Sequence, residues 1–234
     1  MPVSRKPLGD PTKPRHATRA VVLQVRAGRL RVLLWQRARE PFADAWSLPG
    51  GVLGAGEDLE TSIRRHLEAK VDVRDLAHLE QLVTLSDPDR TPSSWELATA
   101  YLGLVPLDAD PGVPQDTSWH AVDALPPMAF DHAAIVATAR ERLRGKLSYT
   151  NIGFALASPT FTLSELREVF LAALGHPVSA TNLRRVLLRR GIIEPTGERR
   201  APGAVGGRPA EVFRFRSRTL EITDPFATFR QPSS

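Results

Sequence analysis

Apolar positions along this chain follow two periods, and the change from one to the other marks the elements. Residues 18–25 (TRAVVLQV) and 30–35 (LRVLLW) are β-rich runs separated by RAGR, so a hairpin turning at Gly28 is expected. From Leu59 the period lengthens. Leu59, Ile63 and Leu67 fall on one face of a helix that follows a glycine turn at 50–56. Two further strands are expected at 78–86 and 95–105, joined by the loop DPDRTPSS, and a short one at 119–122. Residues 131–147 return to helical spacing, with Ile135, Val136, Ala139 and Leu143 on the apolar side. Strands interleaved with helices predict an α/β domain.

The remainder reads differently. Thr162 and Glu165 form a capping box that opens a helix with Leu166, Val169, Phe170 and Ala173 inward and Gly175 at its end. After the turn HPV, Ser179 caps a second helix that stops at Gly191. Two short helices across a tight turn are a helix-turn-helix candidate. Leu183, Val186 and Leu187 occupy one side of the second helix. Thr181, Arg184, Arg185 and Arg189 lie opposite, with Asn182 at the flank and Leu188 towards the exposed side. The arginine pairs alone read as a solvated face. The segment after them changes that reading: two short strands, the second an alternating EVFRF, enclose a Gly- and Arg-rich loop carrying Arg199, Arg200 and Arg208. Helix, turn, basic helix and basic wing predict a winged helix-turn-helix that binds nucleic acid, with arginines on guanine edges or phosphates.

Charge supports this division. Residues 1–145 hold 18 Lys and Arg against 19 Asp and Glu, net −1, whereas residues 146–234 hold 13 against 7, net +6. A GC-rich genome would enrich arginine without that asymmetry. The 234 residues contain no cysteine, which excludes disulfides, a thiol nucleophile and a cysteine zinc site. No apolar run has spanning length, and the first residues lack the apolar centre of a secretion signal, so no membrane partner and a cytoplasmic location are expected. Residues 1–17, rich in proline and basic groups, read as a flexible arm. The expected domains are 18–147 and 148–234.

The glycine turn and its helix carry the candidate chemistry. Following WSLPG, the stretch GVLGAGEDLETSIRRHLEAKVDV resembles the Nudix box, G-x5-E-x7-R-E-U-x-E-E-x-G-U, with Gly51, Glu57, Arg65, Leu67 and Val73 on matching positions. That resemblance implies an α/β/α sandwich. The three helix glutamates that hold divalent metal in the family are His66, Ala69 and Lys70 here, and the later glycine is Asp72. A hard cation takes oxygen ligands, and these residues supply none. Neither a metal site nor a catalytic residue is therefore expected. Glu68 remains as a single carboxylate on a position the motif leaves free.

Together with PGG, the runs SDPDR, MAFDH, TGERR and GGRPAEVFRFR resemble the NrtR-type transcriptional regulators of NAD metabolism, over almost everything beyond the arm. The resemblance implies a dimeric repressor of NAD biosynthesis or salvage genes, bound to a palindromic operator and controlled by ADP-ribose or a related nucleotide, with no cofactor. The residues themselves supply an anion-binding, metal-poor α/β domain joined to a basic winged helix. For the effector we nominate Arg37 and Arg90 on phosphates, Gly51 for close backbone approach, Glu57 to order the turn, and Trp46 either on an adenine or, preferably, in the core. Asp131 and His132 open the last helix of the first domain, where Asp131 is better read as an N-cap than as a ligand contact. Two other readings stay open: a Nudix hydrolase that also binds DNA, and a nucleotide-binding protein whose winged helix docks a protein.

Overall fold

The computed structural model describes residues 14–92, 95–201 and 209–224. Contacts divide the chain into two compact units. One gathers residues 1–23, 31–103 and 110–139; the other gathers 24–30, 104–109 and 140–234. The units therefore do not divide at a single point in the sequence.

Seven strands among the described residues, lying mainly in the first unit, form one sheet: β1 (Arg15–Arg26), β2 (Arg29–Gln36), β3 (Trp46–Ser47), β4 (Gly50–Val52), β5 (His78–Leu85), β6 (Glu96–Leu104) and β7 (Thr117–Ala121). Their order is β3-β2-β1-β6-β5, with β4 on β1 and β7 on β2. The β1–β2 turn places Ala27 and Gly28 at positive φ, 49° and 71°, as a tight hairpin between right-twisted strands requires. Two helices accompany the sheet, α1 (Leu59–Val71) and α2 (His132–Tyr149). Ile63, Leu67 and Val71 of α1 are fully buried, as are Val136, Ala139 and Leu143 of α2. Each large aliphatic side chain so placed contributes about 2 kcal/mol of transfer free energy. The expected periodicities are present on both helices, although Leu59 is only half-buried.

Helix α1 begins with the Asp58 carboxylate accepting the Thr61 amide and ends at Asp72, whose φ of 51° is left-handed. This is the motif's glycine position. Aspartate tolerates that region better than most residues, so the substitution keeps the helix stop.

Three expectations change. Residues 15–17, read as part of the arm, belong to β1: His16 Nε2 meets Thr99 Oγ1 at 2.8 Å and Ala17 pairs with Val52; the rest of the expected arm lies mostly outside the described residues. The stretch read only as a turn contains β3 and β4, two strands too short to show a period. Finally, EVFRF does not alternate strictly. Val212 and Phe213 are both buried because the register shifts between Glu211 and Phe213, and such a bulge turns consecutive side chains inward.

The second unit contains α3 (Leu163–Leu174), α4 (Ala180–Arg189) and a three-stranded sheet ordered β8 (Phe161–Thr162), β10 (Ala210–Phe215), β9 (Ile193–Arg200). The capping box at Thr162 and Glu165, the Gly175 stop at φ 74° and the Ser179 cap are formed as expected. Residues 150–157 run fully buried through this unit, including a single 3-10 turn at Ile152–Ala155. Asn151 anchors the chain after β10, donating to Thr219 O at 2.9 Å and accepting the Glu221 amide at 2.7 Å.

Candidate functional site

The glycine turn owes its shape to two close approaches. Gly50 has φ 152°, and a Cβ there would stand 2.0 Å from Thr18 O on the paired strand. At Gly51 a Cβ would enter the His66 ring, 2.3 Å from its nearest carbon. A side chain at 51 would have to displace the residue that replaces the motif's first helix glutamate. Glu57 closes the turn: it accepts the Gly54 amide and takes Arg65 Nε at 2.9 Å. The Arg65 guanidinium, helped by that amide, lowers the Glu57 pKa to about 2. These contacts tie Glu57 to the turn at Gly54 and to α1 at Arg65.

The helix positions that would hold a metal are engaged otherwise. His66 is buried, and its Nε2–H donates to Val52 O at 3.0 Å. Burial lowers its pKa, which favours the neutral ring. Lys70 Nζ donates to Gly50 O at 2.6 Å and sits 4.6 Å from the Trp35 ring centroid. The glutamates of this stretch are paired: Glu57 with Arg65, Glu60 with Arg64 at 2.9 Å, Glu68 with Arg74 at 3.3 Å. A hard divalent cation would meet an ammonium and a neutral imidazole, so the residues present do not fit it.

Around this turn the side chains form a cationic cluster. Burial depresses the Lys70 pKa, and Arg19, Arg37 and Arg65 push it the same way. Arg19 donates to Glu96 at 2.9 Å, and Arg90, whose side chain is only 4% exposed, reaches Glu96 at 3.5 Å. Arg90 also holds Asp131 at two points, 2.7 and 3.0 Å. The Asp131 carboxylate is committed to this pair, in place of the expected N-cap, because a buried guanidinium needs a counter-charge more than a helix end needs a side-chain acceptor. The carboxylates of Glu96 and Asp131 lie among Arg19, Arg37, Lys70 and Arg90, and Glu40 acts on Arg37 as well. Arg37 donates to Pro41 O at 3.0 Å and lies 4.9 Å over the Phe130 ring.

His132 is buried in the same region. Its Nδ1 accepts the Leu48 amide at 3.1 Å and lies 3.0 Å from Ser47 Oγ. Since Nδ1 is an acceptor, the neutral ring carries its proton on Nε2, and that atom is buried with no partner among the described residues. Burial, then Arg19, Arg90 and Arg37, hold the His132 pKa well below its ordinary value. Trp46 is half-buried, edge-on to His120 with centroids 4.3 Å apart.

Of the nominated effector residues, the structure brings Arg37, Gly51 and Arg90 together with the cluster, and Trp46 onto His120. Arg19 and Glu96 were missed. Arg19 lies within β1 and Glu96 opens β6, 77 positions away, and no local spacing signals that pairing.

In the second unit, Thr181, Asn182, Arg184, Arg185 and Arg189 are all exposed on α4, opposite the buried Leu183 and Leu187. Arg185 donates to Asn182 Oδ1 at 2.9 Å, and Arg184 stands 3.6 Å from Glu211. Arg199 is exposed, in register with Glu211. Arg200 is held by both oxygens of Glu165, at 2.6 and 2.7 Å, which ties β9 to the start of α3. Arg190 is structural, bonded to Ser148 O and to Asp224. Arg208 lies outside the described residues.

A family model described as the NUDIX domain matches residues 14–139, and one described as the NrtR DNA-binding winged helix domain matches residues 153–215. The ADPR responsive transcriptional repressor NtrR of Acinetobacter baylyi is 30% identical over 211 residues, covering 87% of this chain and 83% of its own. Shewanella oneidensis NrtR, solved in complex with a 27mer DNA, aligns with a TM-score of 0.74 at 32% identity, over 86% of this chain and 93% of that one. The NUDIX domain of the same Shewanella protein, cocrystallised with ADP ribose, aligns with a TM-score of 0.51 at 32% identity, over 58% of this chain and 94% of that one.

Proposed function

This chain belongs to the NrtR family, and on that premise we propose that it is a sequence-specific DNA-binding repressor of NAD biosynthesis or salvage genes, controlled by ADP-ribose or a related nucleotide. Residues 18–147 hold the effector and residues 148–234 read the DNA. The observation that carries the effector half is the Lys70 ammonium on Gly50 O, inside a group of arginines: it offers charge to a pyrophosphate where a hydrolase would need a metal cage. The site binds a nucleotide and does not cut it. A hydrolase that also binds DNA is disfavoured because His66, Ala69 and Lys70 give a divalent ion no oxygen ligands.

Arg37 and the backbone near Gly51 meet the phosphates. Arg90 and Glu57, both paired, shape the pocket around them, and Trp46, half-buried, packs on His120. The exposed face of α4 enters the major groove, and Arg199, Arg200 and Arg208 place the wing on the phosphate backbone. The working form is a cytoplasmic homodimer on a palindrome. Among the described residues no helix is long and apolar enough to cross a membrane.

Effector and operator are coupled only if the nucleotide favours one of two conformations. A coupling of about 1–3 kcal/mol changes operator affinity about 5–150-fold. Gel shifts on duplexes from upstream of NAD genes, with and without ADP-ribose, test this. A shift of operator affinity in either direction supports the reading; identical affinity with and without every NAD-derived nucleotide tried refutes it.

A further inference from the structure

Among the described residues, two aromatic side chains sit on left-handed backbone, and they touch each other. Phe42 has φ 66° and Phe130 φ 53°, and their rings meet edge to face with centroids 4.9 Å apart. A bulky residue keeps such a conformation only where its surroundings over-determine it. Phe130 has that support: the Arg37 guanidinium lies over its ring and His132 packs 5.4 Å from it. Phe42 does not hide its ring in return, for it remains 41% exposed. Backbone strain is thus held to present a phenyl group to solvent.

The surroundings indicate what would cover it. Arg37 links this pair to the cationic cluster of Arg19 and Lys70, and His132 brings a buried Nε2–H with no acceptor among the described residues. An apolar aromatic ring beside clustered positive charge and a spare donor matches a ligand with a flat base at one end and phosphates at the other. Trp46 is less suited, being half-buried against His120.

We infer that Phe42, backed by Phe130, is the platform on which the nucleobase of the effector stacks, so that it separates adenine nucleotides from base-free phosphosugars. This rests on the nucleotide-effector reading above and adds the residue that recognises the base.

The test is calorimetric titration of the full-length protein and its Phe42→Ala and Phe42→Trp variants with ADP-ribose. Loss of an aromatic stacking partner weakens binding about 10–100-fold, so that loss is expected for Phe42→Ala, while Phe42→Trp, which restores a π-face, binds within about threefold of wild type. Phe42→Trp also shows a larger quench of tryptophan emission on binding than wild type, whose four tryptophans include Trp35 and Trp46 near the cluster. Wild-type affinity in Phe42→Ala overturns the inference even if the variant changes oligomeric state, because the ring would then serve a contact between copies. Equal weakening in both variants overturns it too, pointing to loop geometry alone. Failure of wild type itself to bind ADP-ribose sinks the effector reading first, and this inference with it.

Discussion

Arg90 and Asp131 are joined at two points, 2.7 and 3.0 Å apart, across 41 positions of sequence, and the guanidinium is almost wholly out of water. The pair fixes the residue that precedes α2 against the loop before β6. Breaking a buried pair from one side leaves an uncompensated charge, typically at a cost of about 3–5 kcal/mol. Glu96 at 3.5 Å offsets part of that. Asp131→Asn is therefore expected to cost about 3 kcal/mol in urea unfolding at unchanged m-value, and an effect under about 0.5 kcal/mol would mean the pair is solvated.

The glycine turn makes a graded prediction. Gly50→Ala drives a methyl group into a backbone oxygen that cannot move, whereas Gly51→Ala meets an imidazole that can rotate. The first should be much the more destabilising. Combined with His66→Ala, Gly51→Ala should lose at least about 1 kcal/mol of its own cost, the coupling expected of contacting residues. Strict additivity in the double-mutant cycle would contradict the packing described.

Stability should fall on mild acidification. The His132 pKa is held well below 6.5 in the folded protein, and those of His66 and His120 are also lowered. As pH drops below the unfolded value of about 6.5, the unfolded chain takes up protons that the native state refuses. Stability is thus complete above that pH and is lost below it, with a slope approaching ~1.4 kcal/mol per pH unit for one histidine. Unfolding midpoints measured for His132→Gln should depend on pH less steeply than those of wild type; equal slopes would show that His132 is not held neutral.

On the DNA side, Arg184 and Arg185 have exposed guanidinium groups, while Arg200 is already engaged by Glu165. Replacing Arg184 and Arg185 with Ala should weaken operator binding and lower the salt dependence by about one unit of slope for each phosphate left without its arginine. Arg200→Ala should do less to affinity. A larger effect from Arg200 than from the pair would move the interface from the helix to the wing.

Much of the fold is legible in the sequence, for a physical reason. Helix stops and caps depend on residues three or four apart, so local spacing alone places Thr162 with Glu165, Ser179 and Gly175. The apolar faces of α2 and α4 follow from the same short-range geometry. The missing carboxylates at 66, 69 and 70 are legible too, since a motif is a fixed spacing.

What the sequence could not carry was pairing at a distance. Arg19 with Glu96 and Arg90 with Asp131 are separated by 77 and 41 positions, and only the strand order brings them into one cluster. The same holds for Gly51 against His66, for the Phe42 and Phe130 contact, and for Arg200 on Glu165. Local chemistry determined the elements, the absent metal ligands and the basic reader. Tertiary packing decided which charges are spent on each other and which remain for a ligand, because burial makes a charge costly until a partner from elsewhere in the chain reaches it.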